Sequence, residues 1–72
     1  MTKYRIKRIE MSGEEVNFEV ATDIQEAEDL LQWHWEKQKK AGNEPTPIEN
    51  HKFKCCGAET NNYIFLIEEI DL

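Results

Sequence analysis

Glycine, proline and cysteine are all scarce, with three Gly, two Pro and two Cys in 72 residues. So few glycines leave no phosphate-cradling loop, and neither GxxxxGK[ST] nor GxGxxG occurs. Cys55 and Cys56 are chain neighbours. That spacing supports neither a disulfide framework nor a CxxC pair. HExxH is missing as well. No apolar run approaches the ~20 residues that cross a bilayer. The longest, Tyr63-Ile64-Phe65-Leu66-Ile67, is strand length. Met1-Thr2-Lys3-Tyr4-Arg5 leads into alternation instead of a signal-peptide core. A cytoplasmic protein without a membrane partner is expected.

Basic residues are missing from the middle of the chain. From Ile9 to Glu36 there is no Lys or Arg, but there are nine acids: Glu10, Glu14, Glu15, Glu19, Asp23, Glu26, Glu28, Asp29 and Glu36. Residues 1–8 carry +4, and the whole chain carries −6. At 8.5 kDa the chain has room for one domain, residues 1–72, with a thin core and little space for an enclosed substrate pocket. Paired carboxylates such as Glu14-Glu15 and Glu68-Glu69 are sequence neighbours and point opposite ways on a strand, so they form no acid–base dyad by spacing. No enzymatic activity and no cofactor are expected.

Periodicity supplies the elements. Tyr4 and Ile6 alternate in one parity, Ile9 and Met11 in the other; a β-bulge at Lys7-Arg8 would bring all four to one face. Ser12-Gly13 marks a turn, and Val16, Phe18 and Val20 alternate with Glu15, Asn17 and Glu19. A hairpin with that bulge sets Ile6 against Phe18, Tyr4 against Val20 and Arg5 against Glu19. Thr22-Asp23-Ile24-Gln25 has capping-box form. Ile24, Ala27, Leu31, Trp35 and Gln38 recur at helical spacing, acids crowd the first turns, Lys37, Lys39 and Lys40 crowd the last, and Gly42 can end the helix. The pattern predicts a helix over residues 23–41. Asn43-Glu44-Pro45-Thr46-Pro47 reads as a connection, because proline lacks an N–H and restricts its predecessor. His51–Cys56 predicts a third strand, residues 57–62 a turn, and Tyr63 to about Ile70 a fourth strand with two apolar faces, which suits a central position. The expected fold is α+β, ββαββ: a four-stranded, mainly antiparallel sheet with one helix on one face.

Charge segregation predicts an acidic face spanning the outer side of the second strand and the early helix. Trp33 points about 180° from Ile24 on a helical wheel, and Leu30 lies about 60° from Trp33. A tryptophan and a leucine rimmed by Asp29, Lys37, Lys40 and Glu26 have the composition of an interface anchor, and Glu15, Glu19, Glu26, Asp29 and Glu36 supply the acidic residues of the docking face. The expectation is a non-enzymatic protein-binding module, an inhibitor or adaptor that docks this face on a partner protein with a basic surface. One version is a nucleic-acid mimic of the physical type used by phage anti-defence proteins. Ordinary helix-dipole complementation would place several of the same acids identically.

Two other readings compete. Lys3, Arg5 and Lys7 on the first strand and Lys52 and Lys54 on the third would form a basic sheet face for single-stranded nucleic acid, near Tyr63 or Phe65. The net acidity argues against direct nucleic-acid binding. His34, His51 and Cys55 could serve as a structural zinc or thiol site, but Cys55 and Cys56 face opposite ways and the spacing is poor. Homodimerisation, covering the second apolar face of the last strand, is a further expectation.

Overall fold

A computed structural model describes residues 1–56 and 62–71. The elements are β1 (Thr2–Glu10), β2 (Glu15–Ala21), α1 (Ile24–Lys40), β3 (Glu44–Glu49), β4 (Lys52–Cys56) and β5 (Asn62–Asp71). They form a small α+β domain in which one helix packs on a five-stranded antiparallel sheet of order β2-β1-β5-β4-β3. Residues 57–61 of the expected turn and residue 72 lie outside the described residues, while Asn62, expected in that turn, is the first residue of β5.

The strand count is the first correction. Residues 44–49 are a strand in spite of Pro45 and Pro47, pairing Glu44 with Cys56, Pro45 with Cys55 and Pro47 with Phe53. β3 is an edge strand, and a sheet edge tolerates missing donors because one side of the strand has no partner. The β3–β4 turn runs through His51, whose φ of 60° is left-handed. Its carbonyl accepts from the Ile67 N–H at 3.1 Å, which ties the turn to the central strand.

The second correction concerns the bulge. β1 runs in unbroken register with β5 from Thr2↔Asp71 to Glu10↔Tyr63, so no residue is inserted at Lys7-Arg8. The irregularity lies on the other strand: Arg5 opposes Val20 and Lys7 opposes Asn17, so Phe18 and Glu19 share the position across from Ile6. Tyr4 therefore meets Ala21, not Val20, and Arg5 meets Val20, not Glu19. With β1 regular, Ile9 stays on the face opposite Tyr4 and Ile6.

β5 is the middle strand, bonded to β1 and β4, which is where a strand apolar on both faces belongs. Its odd-numbered residues face the helix. Ile6, Ala21, Ala27, Leu31, Phe53, Cys55 and Phe65 form the buried core, with Tyr4, Phe18, Leu30, Trp35, Tyr63 and Ile67 packed around it. Phe65 is 1% exposed and lies parallel to Phe53, with ring centroids 4.9 Å apart. Phe53 and Phe65 are direct cross-strand partners, so the register itself builds this stack.

The helix start moves by one residue from the capping-box reading. Asp23 is the N-cap, and its Oδ1 accepts from the Glu26 N–H at 2.8 Å. The end is a Schellman arrangement: the Gly42 N–H donates to the Lys39 carbonyl at 3.1 Å and the Asn43 N–H to the Gln38 carbonyl at 3.0 Å. Gly42 makes this possible with φ of +89°. Ala27, Leu31 and His34 are the buried residues of α1, Trp35 packs half-buried beside them, and Ile24 is 37% exposed. Gln38 of the expected stripe is half-buried as well, and His34 joins the stripe as a buried polar residue.

Candidate functional site

The outer face of α1 carries Glu26, Asp29, Trp33 and Glu36, all exposed. Trp33 is 53% exposed. Its ring is held from two sides: the Lys37 ammonium lies 4.8 Å from the ring centroid and the His34 ring meets it edge-on at 5.0 Å. Spacing of four along a helix brings Trp33 and Lys37 together. The indole is therefore oriented while half of it faces solvent. Asp29 accepts from the Gln25 amide at 3.2 Å and Glu36 from the Gln32 amide at 2.9 Å. Among the described residues, no cation pairs with Glu26, Asp29 or Glu36, so their charge is unneutralised.

Leu30, Glu15 and Glu19 do not join this face as expected. Leu30 is half-buried and packs against the core. Glu15 opposes Ile9 and points to the sheet face away from the helix, where the Lys7 ammonium meets it at 2.6 Å. Glu19 turns the other way. The bulge brings it to the helix side, where its Oε2 lies 3.3 Å from His34 Nε2. The carboxylates of β2 and of the early helix thus form no continuous strip, because one residue of bulge separates the directions of Glu15 and Glu19.

His34, a zinc-ligand candidate by residue type, is a core residue, 5% exposed. Its ring contacts Phe18 at 4.7 Å and Phe65 at 5.4 Å. The Glu19 carboxyl is held below the usual range, first by its own backbone amide and then by His34. His51 instead pairs with Glu28 at 3.1 Å, and the Cys55 thiol donates to Gln38 Oε1 at 3.4 Å. The same oxygen accepts from Asn43 at 2.7 Å and from the Tyr63 hydroxyl at 3.2 Å. Burial, and then Cys55, push the Tyr63 hydroxyl above its usual value. The three candidate ligands thus have separate partners, and among the described residues no group of three metal-ligating side chains is assembled.

The five cations of the expected basic face do share the open side of the sheet by register, but β5 separates them. Lys7 and Lys52 flank Leu66, Lys54 flanks Ile64, Lys3 opposes Ile70 and Arg5 opposes Glu68. Most are neutralised locally. Lys7 contacts both Glu15 and Glu68 at 2.6 Å, Arg5 lies 3.4 Å from Glu68, and Lys52 lies 3.7 Å from Glu49. The hydrogen bonds from Lys7 to Glu15 and then to Glu68 hold its ammonium above the usual lysine range. Tyr63 and Phe65 face the helix, so this surface offers bases no aromatic platform. Arg8 is also on the helix side, with its guanidinium 5.1 Å from the Tyr63 ring and 5.8 Å from the Phe18 ring.

A cleft of about 310 Å³ lies between α1 and the β3–β4 hairpin, lined by Leu31, Trp35, Pro47, Phe53, Glu28 and His51 among others. The sequence conceals it because Asn43-Glu44-Pro45-Thr46-Pro47 reads as a connection and not as one arm of a hairpin. The strand-like alternation of Pro45 and Pro47 was the available signal. No family model, curated protein or solved structure matches this chain. Among the described residues, no helix is long and apolar enough to cross a membrane.

Proposed function

We propose that this chain is a non-enzymatic protein-binding module that docks the outer face of α1 on a basic surface of a partner protein, acting as an inhibitor or adaptor. The observation that carries this is Trp33, half exposed yet held by Lys37 and His34, amid the unneutralised carboxylates of Glu26, Asp29 and Glu36. An ordered, amphipathic ring gives contact area at low entropic cost, and tryptophan is among the residues that dominate interface energies. Surrounding acids steer association toward positive charge and set its salt dependence. The diversion of Glu15 and Glu19 favours an apolar anchor with an acidic rim over an extended nucleic-acid mimic.

The test is affinity capture with the wild-type chain, Trp33→Ala and Glu26→Lys/Asp29→Lys. A partner held by the wild type and lost from Trp33→Ala supports the anchor. Capture of the charge-reversed chain should fall more at low salt than at high salt. A partner that both variants retain fully would remove the helix face from consideration.

A further inference from the structure

Among the described residues, none packs over the face of the sheet opposite α1. By register it carries Ile9, Ile64, Leu66 and Ile70, with Val20 beside Arg5 at the rim. Ile9 and Ile64 are direct cross-strand partners, and Leu66 follows Ile64 on the same face of β5. The four inner residues are each partly exposed, and Val20 is 47% exposed. Ile9, Ile64 and Leu66 adjoin one another, and the Arg5–Glu68 pair separates them from Ile70; adjoining apolar side chains left at a surface mark an interaction site.

We infer that this face is where two copies of the chain pack, sheet against sheet. Charge selects a second copy as the occupant. By register the face holds Lys3, Arg5, Lys7, Lys52 and Lys54 against Glu15, Glu44, Glu49 and Glu68, five cations against four carboxylates. The chain as a whole carries −6, so the acidity lies elsewhere and this surface is nearly neutral with interleaved signs. Two copies meeting here do not repel, whereas two copies meeting through their helices would oppose like charge. A strongly basic or strongly acidic partner finds no matching field on this face.

The ion pairs support the same arrangement. Lys7 is already satisfied within the chain by Glu15 and Glu68, so covering it orphans no charge. The sheet edges are poor alternatives. β3 carries Pro45 and Pro47, and β2 is bulged, so neither offers a regular row of donors and acceptors. Five strands about 4.8 Å apart and roughly 20–30 Å long give a face of roughly 500–700 Å². That approaches the ~800 Å² per partner of a standard interface. Face-to-face stacking would leave α1 outward on both copies, so the inference does not depend on the helix-docking function.

Sedimentation velocity from micromolar to millimolar chain should show a species of about 17 kDa, twice the 8.5 kDa chain. Ile64→Thr/Leu66→Thr, which places strand-favouring β-branched threonine at both positions of β5, should weaken association at least tenfold with an unchanged circular dichroism spectrum. Trp33→Ala should not weaken it. Isotope-filtered NOEs on mixed labelled wild-type chain should connect methyls of Ile9, Ile64, Leu66 and Ile70 between copies, and they decide the matter if the double variant fails to fold. An 8.5 kDa species at every concentration overturns the inference, and if single-stranded DNA then shifts the amides of this face the occupant is nucleic acid. Association lost with Trp33→Ala but kept in the threonine variant also overturns it.

Discussion

Replacing Phe65 with alanine tests the packing on which the presentation of α1 rests. Phe65 is 1% exposed at the middle of the central strand. Its ring stacks on Phe53 at 4.9 Å and on Phe18 at 6.0 Å, meets Tyr63 at 5.6 Å, and lies 5.4 Å from His34 on the helix. Truncating a buried phenylalanine costs about 3–5 kcal/mol, and aromatic pairs add about 0.5–1.5 kcal/mol beyond area. At 0.05–0.15 kcal/mol per residue, 72 residues give a total stability of roughly 4–11 kcal/mol. Phe65→Ala should therefore remove about a quarter of the stability at the least, and all of it if the wild type lies at the low end. Phe65→Leu, which nearly conserves volume, should cost less than about 2 kcal/mol, counting the lost ring contacts. Urea titration followed by tryptophan fluorescence reports this, since Trp35 meets Phe53 edge-on at 5.2 Å. With m near 1 kcal/mol/M, the alanine variant should lower the midpoint by about 3 M or leave the chain unfolded in water. All chains must be compared at one concentration, because association would shift the midpoint. A loss under about 1 kcal/mol for Phe65→Ala would refute the view that this ring cluster is the core.

Asp23→Ala removes the side-chain acceptor for the Glu26 N–H and should cost about 1 kcal/mol in the same titration. Thr22→Ala, by contrast, should be nearly neutral, and the reverse order would return the cap to Thr22. Glu68 is held below the usual carboxylate range, chiefly by the hydrogen bond from Lys7. A carboxyl with a depressed folded pKa binds fewer protons folded than unfolded. Its stabilisation is then full above the ordinary value of about 4.3 and is lost as pH falls through the folded value. The melting-temperature gap between wild type and Glu68→Gln should therefore be widest near neutral pH and close below about pH 4; a gap that stays constant into acid would contradict the pairing.

Local rules made much of this fold legible. Alternation in Tyr4/Ile6 and Val16/Phe18 located β1 and β2, the two-sided run Tyr63–Ile67 located the central strand, and the 3.6-residue period with its terminal charges and Gly42 located α1 to within one residue at each end. These features depend on neighbours a few positions apart, so a sequence carries them directly. The outward direction of Trp33 and the exposure of Glu26, Asp29 and Glu36 follow from the same helical period. Non-local pairing decided the rest. Two prolines read as a break until β4 supplied a partner that leaves β3 at the edge, and His34 read as a ligand until Phe18 and Phe65 enclosed it. The bulge shows the reason most plainly. The parity switch in β1 pointed to an extra residue at Lys7-Arg8, but the unbroken ladder between β1 and β5 leaves β1 regular, and the pairing of β1 with β2 puts the extra residue at Phe18-Glu19, which sends Glu15 to Lys7 and Glu19 to His34. A strand's own residues set which side chains alternate; the strand beside it sets which way each of them finally points.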